Sequence, residues 1–398
     1  MNATNEIENV TAMTPRSCFR TAIRGLLAAG AITIAAAAPA AGQSPAASPT
    51  PAVNQSSAAS EAPSAAKATT ARKTLWVANG ANVLEFATPG GVHDEKPKAI
   101  LGSAAFVSTQ GVVFDASGNL WVIDGGNTSA MGTTPPSIDE FTVAQLKNLK
   151  KVPTPTPNVT ITSTDLVFPQ QAVFDAAGNM WVSDDLANAV FVITQHQLAT
   201  GGPTVFGTTV RSTPPFSGAL GIVLHGGNLY VANNGANTIF VFNANHVPNV
   251  GSGLSVLAPD VVLSDDGHGS IAGPWALIFD AAGNLWSSNA NSPFTLVEFS
   301  ATQITTTGSP TPAITISPFL VKVSKTVSDE SLASPNGISF DDKANLGAAS
   351  SATPFGLAVY DKKQEATGGS LKPKSFIVGG KTTLTAPAGD NFGPDVNH

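Results

Sequence analysis

One cysteine, Cys18, occurs in 398 residues, and it lies near the N-terminus just ahead of an apolar run. Once the N-terminal segment 1–42 that holds it is removed the chain has no thiol, which excludes disulfides, cysteine-ligated zinc and a cysteine nucleophile. Charge is scarce as well: 12% of residues are Asp, Glu, Lys or Arg, with a formal net of −7. The one basic cluster is "KNLKK" at 147–151, too little to hold nucleic acid. Six histidines are spread over turns, loops and the tail (His93, His196, His225, His246, His268, His398) and form no ligand-spaced cluster. Neither a G-x-S-x-G nucleophile elbow nor a glycine loop for phosphate is present. What the chain does have is 42% hydrophobic residues, 37 Gly and 29 Pro, the make-up of a turn-rich β protein.

The first 42 residues read as a secretory signal peptide. Arg16, Arg20 and Arg24 precede "GLLAAGAITIAAAAPA", and small residues follow at a cleavage site. The apolar core is short and rich in Ala and Gly for a membrane span, so no span is expected after signal removal; a retained anchor is the alternative. The acidic stretch 1–12 is odd ahead of such a signal, and Met13 is the better start. Removing 1–42 takes away three basic and two acidic residues, leaving 17 against 25 and a net of −8. Residues 43–72 are Ala, Ser, Pro and Thr with few large apolar side chains, which describes a disordered tether. The folded part is then 73–398, exported to the periplasm or secreted.

That part repeats. "DASGNLW" at 115–121 returns as "DAAGNMW" at 175–181 and "DAAGNLW" at 280–286, with "HGGNLY" at 225–230. Between Asp115, Asp175, His225, Asp280 and Asp341 the steps are 60, 50, 55 and 61 residues, the period of a propeller blade. In one unit, "GVVFD" and "LWVID" are apolar strands joined by a hairpin, "IDEFT" is a third strand and "NVTIT" a fourth. The Asp of D-x-x-G-N fixes the turn entry, and Gly118, Gly178, Gly227 and Gly283 supply the left-handed residue. Ala344 takes that place in the last copy and makes its turn less comfortable.

Trp76, Trp121, Trp181, Tyr230 and Trp286 occupy one position on the second strand and read as packing between blades. Gly347 stands there in the last copy, which predicts looser packing. Capping boxes in "TVAQL" (142–146), "TQHQL" (194–198) and "SATQI" (300–304), with "NANHV" (243–247) as a variant, predict one helical turn per blade. Second strands number six: 75–79, 120–124, 180–184, 229–233, 285–289 and 345–349. The fold class expected is all-β, a six-bladed β-propeller of four-stranded antiparallel blades. The tail "LTAPAGDNFGPDV" falls where the first blade lacks its inner strand, so N- and C-terminal strands join to close the ring.

The pattern P-x-x-h-h-F-D-x-x-G-N-L-W-V-x-D resembles the NHL-type repeat across roughly residues 74–393. It is similar to six-bladed relatives among the SMP-30/gluconolactonase/LRE-like proteins and the streptogramin lyases. The lactonase-like resemblance implies a divalent metal in the channel, and "ASPNGISFDD" would map its metal-binding Asn onto Asn336. No Glu opens an inner strand here, and the partner carboxylates have no clear counterparts; Asp265 and Asp266 are the nearest candidates. The lyase resemblance implies a Glu after the second strand and a nearby His, whereas this chain has Asp124, Asp184, Asn233, Asn289 and Ser350. Asn cannot serve as a general base.

Loops joining second to third strands share a face with those joining one blade to the next. That face collects Asp124, Asp184, Asn233 and Asn289, with His268 in "SDDGHGS". Such a ring binds a cation or a sugar-like ligand, or else caps strand ends. The sequence therefore supports an exported, non-catalytic propeller, a monomer, binding a protein or glycan through this face. The alternative is a divalent-metal-dependent hydrolase or lactonase using Ca2+ or a similar cation at Asn336, Asp265 and Asp266, with His268 beside them.

Overall fold

The computed structural model describes residues 72–127, 134–322 and 328–394. The signal segment 1–42, with Cys18 and Met13, the tether up to residue 71, and His398 lie outside the described residues. Apolar strands that alternate their side chains across a sheet must be covered on both faces, and here each sheet is covered by its two neighbours. Six sheets result, arranged as six propeller blades.

Blade 1 orders Pro387–Pro394, Arg72–Asn79, Asn82–Phe86 and Ala99–Gly102 from the inner strand outward. Blade 2 comprises Thr109–Phe114, Leu120–Asp124, Ser137–Phe141 and Val159–Thr162. Blade 3 comprises Pro169–Phe174, Met180–Asp184, Ala189–Ile193 and Thr208–Ser212. Blade 4 follows with Ala219–His225, Asn228–Asn233, Thr238–Phe242 and Val261–Ser264. Blade 5 has Pro274–Phe279, Leu285–Asn289, Leu296–Phe299 and Ile314–Ser317. Blade 6 ends the series with Pro335–Phe340, Leu346–Ser350, Gly356–Tyr360 and Ser375–Val378. The ring is closed as the repeat count requires. The C-terminal strand pairs antiparallel with the first, Leu75 opposite Phe392 and Arg72 opposite Pro394.

The apolar core is divided into six clusters, one at each blade–blade junction. Between blades 1 and 2, for example, Trp76, Ala78 and Leu101 meet Val112, Val122 and Phe141. Between blades 6 and 1, Ala349, Leu357 and Ile377 meet Leu75, Val77 and Phe392. The second-strand aromatics reach across these junctions. Trp76 packs edge-on to Phe114, Trp121 to Phe174, Tyr230 to Phe279 and Trp286 to Phe340, with ring centroids 4.9–6.4 Å apart.

At Gly347 the expectation of loose packing fails, because the next blade brings its aromatic down onto the glycine. A Cβ added there would lie 2.8 Å from Phe392 Cε2, and Phe392 is fully buried. The aromatic surface is contributed from one side of the junction instead of two.

The repeated turn is a hydrogen-bonded knot. Asp175 Oδ1 accepts the N–H groups of Ala177 and Asn179, both at 2.9 Å, while Oδ2 accepts Asn179 Nδ2 and Trp181 Nε1. Asp115, Asp280 and Asp341 hold their turns through the same Oδ1 bonds. The Asn side chain then reaches onward. Asn119, Asn179 and Asn284 Oδ1 accept the N–H of Val143, Gln195 and Ala301, the second residue of the segment between third and fourth strands.

Helices form at Val143–Lys147 and Gln195–Thr200, both with complete capping boxes. At Ser300 half of the box forms, with Ser300 N–H donating to Gln303 Oε1 while Gln303 N–H donates to Ser300 O, and the segment is a turn instead of a helix. A third helix, Lys362–Thr367, uses Asp361 with Gln364 and was not anticipated, because its cap is Asp and not Ser or Thr. In each box the Gln also donates Nε2 to the chain entering the fourth strand, at Thr156, Val205, Thr311 and Lys372.

One feature is absent from the four-strand expectation. The segment between third and fourth strands of each blade runs parallel along the outer strand of the preceding blade. Gly202–Pro203 extends blade 2, Gly253–Leu257 blade 3, Gly369–Ser370 blade 5 and Gly91–His93 blade 6. Single contacts complete the set: Gly308 pairs with Leu263 of blade 4, and Gly102 N–H donates to Pro153 O. All six junctions are thus tied at the rim as well as packed in the interior.

Ala344 holds φ at +57°, where Gly118, Gly178, Gly227 and Gly283 hold +79° to +84°. Replacing Ala344 with Gly relieves a steric cost of about 1 kcal/mol, which should raise the melting midpoint by roughly 1–2 °C in calorimetry. Truncation after Gly380 removes the closing strand and should abolish a single cooperative unfolding transition, read by circular dichroism.

Candidate functional site

The face opposite the D-x-x-G-N turns carries the loops between second and third strands and those between blades. Its architecture rests on the last residue of each second strand. Asp184 Oδ2 accepts the N–H groups of Val167 and Phe168 at 2.8 and 3.0 Å, and Oδ1 those of Leu186 and Ala187. Asp124 does likewise with Val107, Ser108 and Gly126. Asn233 Oδ1 accepts Ser217 N–H at 2.5 Å, and Asn289 Oδ1 accepts Ala272 N–H at 3.0 Å.

The two remaining blades use the same device. Asn79 Oδ1 takes the N–H groups of Thr385 and Ala386, and Ser350 Oγ that of Ala333. Every one of these six side chains anchors the segment that enters its own blade's inner strand. All six are buried, at no more than 1% exposure, so their polar atoms face backbone and not solvent.

Burial pushes the carboxyls of Asp124 and Asp184 above the usual range, and the N–H groups they accept pull them back only in part. Since an Asn or a Ser does the same job in four blades, the requirement at this position is an acceptor for loop N–H groups. Asn79 was not singled out from the sequence, because blade 1 lacks the preceding hairpin that marks the others.

A second set of ties joins neighbouring blades. Asn188 and Asn237 sit in the left-handed region at φ +49° and +52°. Their Oδ1 atoms accept the N–H of Gly218 and Gly273, the entries to the next blade's inner strand. Ser334 Oγ donates back to Ala290 O across the junction of blades 6 and 5.

Below these entries the inner strands come into backbone contact: a Cβ on Gly111 would lie 2.5 Å from Gln170 O, and one on Gly221 2.3 Å from Trp275 O. Gln110, Gln170, Trp275 and Asn336 occupy equivalent places just above this constriction.

His268 stands exposed at the tip of the loop between blades 4 and 5. That loop is built around two carboxylates. Asp265 accepts the N–H groups of Gly267 and Ile271 and the Ser270 hydroxyl, and Asp266 Oδ1 accepts His268 N–H at 2.9 Å. Asn289 Nδ2 donates to Gly269 O and Ser270 O beneath it, so the loop is fixed from below.

Asn336 is buried on the inner strand of blade 6, with Ser334 Oγ 3.4 Å from its Oδ1. Asp265 and Asp266 share one turn, while Asn336 belongs to the blade beyond. A divalent cation wants several oxygens at one point. Among the described residues no group of three or more His, Cys, Asp or Glu side chains comes together to hold one.

Comparison with protein-family profiles and with curated proteins found no match. Solved structures do match. A protein of unknown function from Bacteroides caccae aligns with TM-score 0.52 and 9% identity over 80% of this chain and 98% of that one. A chain of the nidogen/laminin complex aligns at 0.48 and 16% over 80% and 97%. Virginiamycin B lyase from Staphylococcus aureus aligns at 0.39 and 12% over 71% and 73%. At such identities the likeness is one of fold.

Substituting Asp184 with Ala strands at least four loop N–H groups and should cost about 2–4 kcal/mol in urea denaturation. Asp184→Asn keeps an acceptor of the kind that blades 4 and 5 use, and should cost clearly less.

Proposed function

We propose that the protein is an exported, non-catalytic propeller that binds a protein or glycan partner through the clamped loop face. The observation that supports this reading is the division of labour between the two faces. The turn face repeats one hairpin four times with the same Asp bonds. On the loop face the anchors are constant, but the loops above them are not. Compare residues 103–108 and 163–168 with 265–273 and with 318–334, which carries an added hairpin of Leu320–Lys322 and Ser328–Glu330. Variation held on fixed anchors is how scaffolds carry recognition.

Within this reading Asp124, Asp184, Asn233 and Asn289 act beneath the surface by setting loop positions, and His268 is the side chain offered to a ligand. Asp124, Asp184, Asp265 and Asp266 accept backbone N–H groups, which supports a positioning role for these carboxylates. Export rests on the sequence features of residues 1–42; no helix among the described residues is long and apolar enough to cross a membrane.

Screening the protein against glycan arrays and extracellular protein extracts should yield a ligand whose affinity falls about tenfold in His268→Ala, with the melting midpoint unchanged. Melts with Ca2+ and with EDTA should superimpose. A Ca2+-induced rise that Asp265→Ala abolishes would favour the metal-dependent hydrolase instead.

A further inference from the structure

Two carboxyl groups occupy places that apolar side chains fill in the other blades, and both belong to the joints of blade 6. Asp390 lies on the closing strand opposite Val77, in the register held elsewhere by Val112, Ala172, Ile222, Leu277 and Ile338. It is buried against blade 6, where Ser339 Oγ donates to its Oδ2 at 2.6 Å. Its Oδ1 has no hydrogen-bond partner among the described residues, and the Ala349 N–H favours the charged form of the carboxyl. Gly337 makes the room, since a Cβ there would fall on Asp390 Oδ1.

Among the described residues no cation faces this carboxyl. The inner strands of blades 6 and 2 and the second strand of blade 6 contain no ionisable residue, and Arg72 and Lys73 stand at the far start of the strand that bears Val77.

Glu365 is the second case. It is the fourth residue after its cap, where Leu146, Leu198 and Ile304 are buried in their own blades. Its side chain is buried too, with Oε1 accepting Leu346 N–H at 2.8 Å. The charges facing it are Asp341 and Asp361, with Asp280 from blade 5, all of its own sign. Lys362 and Lys363 on the same helix are turned to solvent.

We propose that ring closure is a proton-dependent latch, in which Asp390 and Glu365 hold blade 6 in place best when they are neutral. An ionised carboxylate in an apolar junction without a cation is costly, and a neutral one is not. Burial lifts Asp390 to about 6, against the help of Ser339 and the Ala349 N–H. Burial likewise lifts Glu365 to about 7, reinforced by its acidic neighbours.

Both folded values lie above the unfolded ones, so the stabilisation is complete below about pH 4 and is lost as pH rises through 6 and 7. Between pH 5 and 8 the folding equilibrium constant should fall about tenfold through Asp390 and about seventyfold through Glu365.

The test uses the full chain in about 0.5 M NaCl, which screens exposed charges. The melting midpoint should be roughly 5 °C higher at pH 5 than at pH 8. The double variant Asp390→Asn/Glu365→Gln should remove most of that slope, leaving the smaller share of Asp124 and Asp184, whose carboxyls burial also raises. Hydrogen exchange of the unmodified protein gives an independent reading that does not require the variant to fold. After correction for intrinsic rates, amides of Arg72–Asn79 and Gly356–Tyr360 should lose protection at pH 8 before those of Ala189–Ile193 in blade 3. A midpoint that is flat or rises with pH, a slope retained by the double variant, or protection lost evenly around the ring would each overturn the latch.

Discussion

Each blade of this protein is a sheet with two apolar faces and no means of covering either by itself. Coverage comes only from the neighbours, so the interior is six junctions in place of one core. The pairing of Pro387–Pro394 with Arg72–Asn79 is what makes this possible, because an open row of blades would leave two faces bare. Every other stabilising contact, from the Trp–Phe pairs to the rim strands, presupposes that closure.

Much of the scaffold was legible because its parts are local. An Asp that bonds to residues two and four further on, a Gly at positive φ and a Gln three residues after a cap all act within a few residues of chain. They leave a readable spacing. The closing strand was also legible, by subtraction: six second strands with five preceding inner strands demand a sixth from the tail. The rim strands left no such trace. A parallel pairing of two residues, as in Gly202–Pro203, needs no alternation of side chains and comes from a loop of the neighbouring blade. Gly347 misled for a related reason: the sequence showed the missing aromatic, but not Phe392 arriving from the other end of the chain.

The candidate site was legible in its residue types and not in their orientation. Asp124, Asp184, Asn233 and Asn289 share one position, as the repeat indicated, yet their side chains turn inward to loop N–H groups. Sequence spacing reports which residues are equivalent. Whether a carboxylate faces solvent or backbone depends on loops whose paths are set by distant contacts. Asn336 and the Asp265–Asp266 pair illustrate the same limit, since they are placed by different blades.

The pairing of Arg72 with Pro394 has a geometric consequence for how the molecule is displayed. Both ends of the described chain come out side by side, at the place where blade 1 would otherwise have its Asp-x-x-Gly-Asn hairpin. That place is on the turn face, across the full height of the ring from His268 and the clamped loops. A group attached directly at the start of Arg72–Asn79 therefore meets the turn face, on the side of the ring away from the variable loops.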